Sequence, residues 1–123
     1  MEIKFLKEHK DGFYLVFRIL VGFLFFLHGI AKFGAFGGTI NPVFSLFGIA
    51  GVIEIIVGAL VFFGAFVEIA SVFGAIEMIV AYFMVHAGNG WNPLKNKGEL
   101  ALLYLAAFLV LAVYGSGKKK KSK

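Results

Sequence analysis

Apolar residues in this chain do not alternate with polar ones; they come in long runs. Phe13–Phe33, Phe44–Phe66, Ile69–Ala87 and Leu100–Tyr114 are nearly unbroken apolar stretches, separated by glycine-rich or charged segments. The first three approach the ~20 residues that carry an α-helix across ~30 Å of hydrocarbon at ~1.5 Å per residue. The fourth is short. Its start is expected earlier, because Asn92-Pro93 has the form of an N-cap followed by proline at the first helical position. Asn41-Pro42 carries the same signal ahead of the second helix. The runs are too long for the strands of a membrane barrel and lack their alternation. The pattern predicts an all-α fold, an antiparallel bundle of four transmembrane helices.

Breakers and charges give the connections and the orientation. Gly34–Thr39 and Ala87–Lys97 are glycine-rich loops on one side of the membrane, and the turn near Val67–Glu68 is short enough to make a tight antiparallel hairpin. Residues 1–12 read as an N-terminal arm, 13–114 as the membrane domain and 115–123 as a basic tail. The arm carries Lys4, Lys7 and Lys10, and the tail carries Lys118, Lys119, Lys120, Lys121 and Lys123. The opposite side has Lys95 and Lys97, with Lys32 at its edge. The positive-inside bias therefore predicts both termini in the cytoplasm and a multi-pass protein of the inner or plasma membrane. The apolar run after residue 12 exceeds a signal-peptide core and contains Arg18, so it is expected to remain as the first helix.

Composition narrows the function classes. Of 123 residues, 60% are apolar and 15% charged, with 16 glycines; soluble domains have about 25% charged residues, so a water-soluble globule is excluded. The chain has no cysteine, which removes thiol catalysis, iron–sulfur ligation, covalent haem attachment and thiolate zinc sites. The net charge of +5 comes with no folded basic surface, so nucleic acid is not an expected partner. The lysine tail is instead expected to touch anionic lipid. The 16 phenylalanines are expected mainly at lipid-facing and core positions.

The informative residues are ionisable groups inside the apolar runs. Arg18, His28, Lys32, Glu54 and Glu77 lie within the spans, and His86 and Glu99 sit at their outer ends. A charge at the bilayer centre costs at least ~2.5–3.5 kcal/mol on insertion scales, so these groups need partners, water or neutralisation. At about 100° per residue, Arg18, Gly22, Phe25, Gly29 and Lys32 share one face of the first helix. Ala50, Glu54 and Gly58 share a face of the second, and Ala70, Gly74, Glu77 and Ala81 one of the third. Faces rich in small residues are the ones that pack in membranes. The charges are therefore expected to point inward.

Depth suggests pairings. Glu54 and Glu77 fall near mid-bilayer, within reach of Arg18, and Lys32 with Glu99 forms the expected outer pair. His86 lies on the far side of an ideal helix from Glu77. A bis-histidine haem through His28 and His86 would need the third helix to rotate or unwind near its end, and no metal site is read. Two accounts of the mid-depth carboxyls stay open. They share a proton in a relay, or they fix helix register by ion pairing and hydrogen bonding.

These residues resemble the DoxX/DoxD-like family of small four-helix membrane proteins. The likeness rests on Arg18-Ile-Leu-Val-Gly22 leading to His28-Gly29-Ile-Ala-Lys32, and on Glu54-Ile-Ile-Val-Gly58 ending at Gly64. His86 before a glycine–asparagine loop, Gly98-Glu99-Leu-Ala-Leu-Leu and the closing Gly115-Ser116-Gly117 complete it. Glu68 stands where the family often has a basic residue, and lysines replace its usual tail. The resemblance implies an inner-membrane protein linked to quinone-coupled oxidation or to redox-complex assembly. It places emphasis on Arg18, His28, Lys32, Glu54, His86 and Glu99, with a quinone as cofactor and a membrane or peripheral oxidoreductase as partner. A non-catalytic scaffold and a small proton or solute transporter are the competing expectations.

Overall fold

The computed structural model describes residues 2–117, and these are all-helical. Helix α1 (Lys4–Glu8) leads into α2 (Lys10–Ala31), and α3 (Leu46–Phe63) follows the first long loop. Helix α4 (Val67–Ala81) runs on through a π-helical turn, Tyr82–His86, and a tight turn, Ala87–Asn89. The single-turn α5 (Pro93–Asn96) and α6 (Glu99–Tyr114) complete the chain. Three stretches, Lys10–Ala31, Leu46–Phe63 and Val67–Asn89, are long and apolar enough to cross a membrane. Helix α6 is shorter, at 16 residues.

Two antiparallel pairs make the bundle: α2 lies along α3, and α4 along α6. Glycine explains the closeness of the first pair. An added Cβ at Gly22 would stand 2.8 Å from the Gly58 carbonyl oxygen, and one at Gly58 would stand 2.8 Å from that of Gly22. One heptad along, a Cβ at Gly29 would fall 2.9 Å from the Gly51 carbonyl oxygen. Backbones approach this closely only where both sides lack side chains, the usual device of membrane helix pairs. Between the two pairs sits an aromatic centre, where Phe25 of α2 meets Phe108 of α6 edge-on with ring centroids 4.7 Å apart.

The α3–α4 turn forms at Gly64–Phe66, just before the expected position, and those two helices share much less surface than either tight pair. Gly64 is left-handed (φ 80), and the N–H groups of Gly64 and Ala65 both bond the Leu60 carbonyl, closing off α3. The expected Asn41-Pro42 cap is corrected. Ser45 caps α3 by accepting from Gly48 N–H at 3.1 Å, while Asn41 serves the preceding helix. Asn92-Pro93 does open a helix, but only α5; Lys97 turns left-handed (φ 65), so α6 starts afresh at Glu99. The tail lysines Lys118–Lys121 and Lys123 lie outside the described residues.

The inward faces follow the pattern of small residues. Arg18, Gly22, Phe25 and Gly29 are buried on α2, Gly51, Glu54 and Gly58 on α3, and Ala70 and Gly74 on α4. Large apolar side chains such as Phe23, Ile56, Phe73 and Leu103 stay exposed on the outside, as a lipid-facing surface requires.

Candidate functional site

The loop after α2 aims its last lysine. Lys32 ends that helix, and its carbonyl accepts from both the backbone N–H (3.0 Å) and the side-chain Nδ2 (2.8 Å) of Asn41. Its stem lies over Gly51, where an added Cβ would come within 3.0 Å of Lys32 Cβ. One turn further along α3, Glu54 receives the ammonium: Lys32 Nζ donates to Glu54 Oε1 at 2.8 Å. Such a charge-assisted bond is short and strong, and it offsets the cost of placing the carboxylate inside the bundle. Glu77 of α4 faces Glu54 closely enough for the two carboxyls to share a proton, and both of its oxygens are buried with no hydrogen-bond partner from any other described residue.

A cavity of about 480 Å³ opens beside these groups. It occupies the half of the bundle away from the chain ends, and its walls are mostly apolar, including Phe25, Phe47, Ile53 and Met78. Lys32, Glu54 and Glu77 line it together with His28, His86, Lys97 and Tyr104. His28 meets Tyr104 edge-on at 5.7 Å between ring centroids, and both rings lie within electrostatic reach of Glu54.

His86 reaches the cavity through the π-helical turn. The extra residue in that turn delays rotation about the helix axis, so His86 swings back toward the face that carries Glu77. The ring is then fixed by its Nδ1, 3.1 Å from the Asn96 carbonyl; since a carbonyl only accepts, Nδ1 carries the proton and Nε2 is left for other contacts. Asn96 is buried and organises this corner. Its Nδ2 donates to the Gly90 carbonyl (2.9 Å) and the Tyr82 hydroxyl (3.2 Å), and its Oδ1 accepts from Gly98 N–H (2.8 Å).

Two expected members stand elsewhere. Arg18 is buried but bonds neither carboxylate: its guanidinium donates to the carbonyls of Ser116 (3.0 Å) and Phe62 (3.5 Å) at the other end of the bundle. There the positive charge meets the C-terminal ends of α3 and α6, which carry partial negative charge. Tyr14 donates to the Gly115 carbonyl at 2.6 Å beside it. Glu99 is exposed in the first turn of α6, a favourable place for an acid. Lys32 pairs with Glu54 in its stead. The inward charges thus form two clusters, not one. Tyr104 and Asn96 join the site without having been singled out by the sequence pattern; Tyr104 was legible only as one of two tyrosines in the fourth apolar run, the other being Tyr114 at its end.

The DoxX family model matches residues 13–87. An uncharacterized protein of Haemophilus influenzae is 38% identical over 91% of this chain and 90% of its own length. A protein named "Putative oxidoreductase CatD" in Bacillus subtilis is 36% identical over 83% of this chain and 78% of its own. A second uncharacterized Haemophilus influenzae protein is 32% identical over 53% of this chain and 43% of its own. No solved structure matches the chain.

Proposed function

The chain belongs to the DoxX family, and on that basis we propose that it is the membrane subunit of a quinone-linked oxidoreductase. In this reading it crosses the plasma membrane four times with both termini in the cytoplasm, α6 being the fourth span. The observation that carries the proposal is the cavity. It joins apolar walls to the ammonium groups of Lys32 and Lys97, two carboxyls, two imidazoles and a tyrosine. Its volume falls in the ~300–1,000 Å³ range of small-molecule sites, whose pattern is apolar walls with a few convergent polar groups.

The same residues favour a neutral head group over an anion. Two carboxyls balance the two lysines that line the cavity, and Glu54 already engages Lys32 at 2.8 Å. A neutral ring bearing carbonyl oxygens suits the remaining ammonium protons of Lys32 and the hydroxyl of Tyr104, both of which donate. Glu77 shares its carboxyl with Glu54, and no other described protein group bonds to it. When bound, a quinone supplies two-electron, two-proton acceptor chemistry. The chain's own part is to hold the ring, exclude water with its apolar walls, and move a proton at the Glu77 carboxyl. With no cysteine in the chain, electron delivery falls to an associated dehydrogenase. The name of the Bacillus subtilis relative agrees with this role.

The test is made on protein purified from native membranes. Mass spectrometry is expected to find co-purified quinone, and an added tailless benzoquinone should raise the unfolding temperature. Glu77→Leu should abolish that shift while the protein stays folded. No bound quinone together with an unchanged unfolding temperature would sink the proposal.

A further inference from the structure

The head-group cavity has an apolar neighbour. A second, smaller hollow of about 300 Å³ lies along the α3–α4 seam and shares Ile53 and Phe73 with the first. Every residue lining it is apolar, from Ile56 and Leu60 on α3 to Ile69 and Ala70 on α4. It ends at Phe66 in the short turn that joins the two helices. Ile53 and Leu60 lie about 10 Å apart along the helix axis at ~1.5 Å per residue, so the furrow has the length for a chain and not merely for a methyl group. The seam is open because α3 and α4, tied at one end by the turn, pack mainly against other helices. Its walls include Ile56, Ile69 and Phe73, which are also exposed on the lipid-facing surface.

From this adjacency we infer that the site takes a tailed amphiphile, whose hydrocarbon chain lies in the α3–α4 furrow while its ring sits at Lys32, Glu54 and Glu77. The inference rests on the head-group reading above and adds to it the side of entry and a second determinant of specificity. A ligand dissolved in the bilayer reaches the polar floor sideways, between α3 and α4, without crossing the outer loops. The furrow carries no polar group, so it distinguishes ligands by their tail alone.

The experiment compares two probes on protein in lipid nanodiscs: a benzoquinone with a decyl tail, and the same ring without it. Ala70→Leu fills the furrow from within. Because Ala70 is buried against neighbouring helices, Ile69→Trp, on the exposed wall, serves as a second variant that leaves the core untouched and decides alone if the first does not fold. Each variant is compared with the parent for each probe, which cancels the greater partitioning of the tailed probe into lipid. Affinity for the decyl probe is expected to fall about tenfold, ~1.4 kcal/mol, while that for the bare ring stays within about twofold. Equal losses for both probes, or no loss for either, would overturn the tail inference and leave the head-group site standing. Failure of the parent to bind either probe would overturn both.

Discussion

Lys32 and Glu54 form an asymmetric pair: the ammonium side chain is 25% exposed and its carboxylate partner 4%. The pair is therefore a surface charge seen from one side and a buried one seen from the other. Removing the lysine strands a carboxylate in the bundle, and breaking a buried pair in this way costs ~3–5 kcal/mol. Lys32→Met should lose about that much stability in detergent unfolding. Lys32→Met combined with Glu54→Met should recover most of it, since apolar replacements of an intact pair are often neutral. A double variant as unstable as the single one would mean that charge burial is not the source of the loss.

Glycine closeness gives a second expectation. Gly22→Ala or Gly58→Ala puts a methyl group against opposing backbone, which cannot move aside as a flexible side chain can. Overpacking of this kind costs ~1–3 kcal/mol. Gly12 sits in the same helix as Gly22, and a methyl group added there would meet nothing within 4 Å. Gly12→Ala should accordingly be neutral or gain up to ~1 kcal/mol from helix propensity. Thermal unfolding of the three variants separates the cases, and equal effects would refute the packing account.

Arg18 should act at the end of the bundle, not in the cavity. Its two carbonyl partners belong to separate segments, so Arg18→Lys, a point charge, cannot bridge both as the guanidinium fork does. Hydrogen bonds to charged groups contribute ~1.5–3 kcal/mol, and Arg18→Met should lose more than Arg18→Lys. Amide hydrogen exchange over 115–117 should speed up in both variants, while quinone binding persists. Parent-like exchange in Arg18→Met would remove the clamp.

Orientation can be read from single cysteines, because the chain has none of its own. Lys95→Cys should react with a membrane-impermeant maleimide on intact cells, and Glu8→Cys only after lysis. The reverse labelling would invert the topology.

The helices and their inward faces were legible because small and ionisable residues recur at helical spacing on the same stripes, as with Gly22, Gly29 and Lys32. Partner choice was not. Depth alone put Arg18 within reach of Glu54, but the guanidinium turns to the carbonyls of Phe62 and Ser116, and no side-chain pattern marks a backbone acceptor. Lys32 stood at the edge of its helix, so Glu99 looked nearer than Glu54. The hold of Asn41 on the Lys32 carbonyl, which directs the stem over Gly51, depends on a loop path. His86 joined the cavity through a π-helical turn, for which the run Tyr-Phe-Met-Val-His carries no distinct signature.

In the four-span reading, helix α6 acts on the surrounding lipid. Its 16 residues reach about 24 Å at ~1.5 Å per residue, less than a typical ~30 Å hydrocarbon layer. In the four-span reading, a bilayer that meets α6 at both ends thins on that flank. Hydrophobic mismatch then draws headgroups and their water toward the two ends of this helix. In the four-span reading the protein thus reshapes the solvent around this helix.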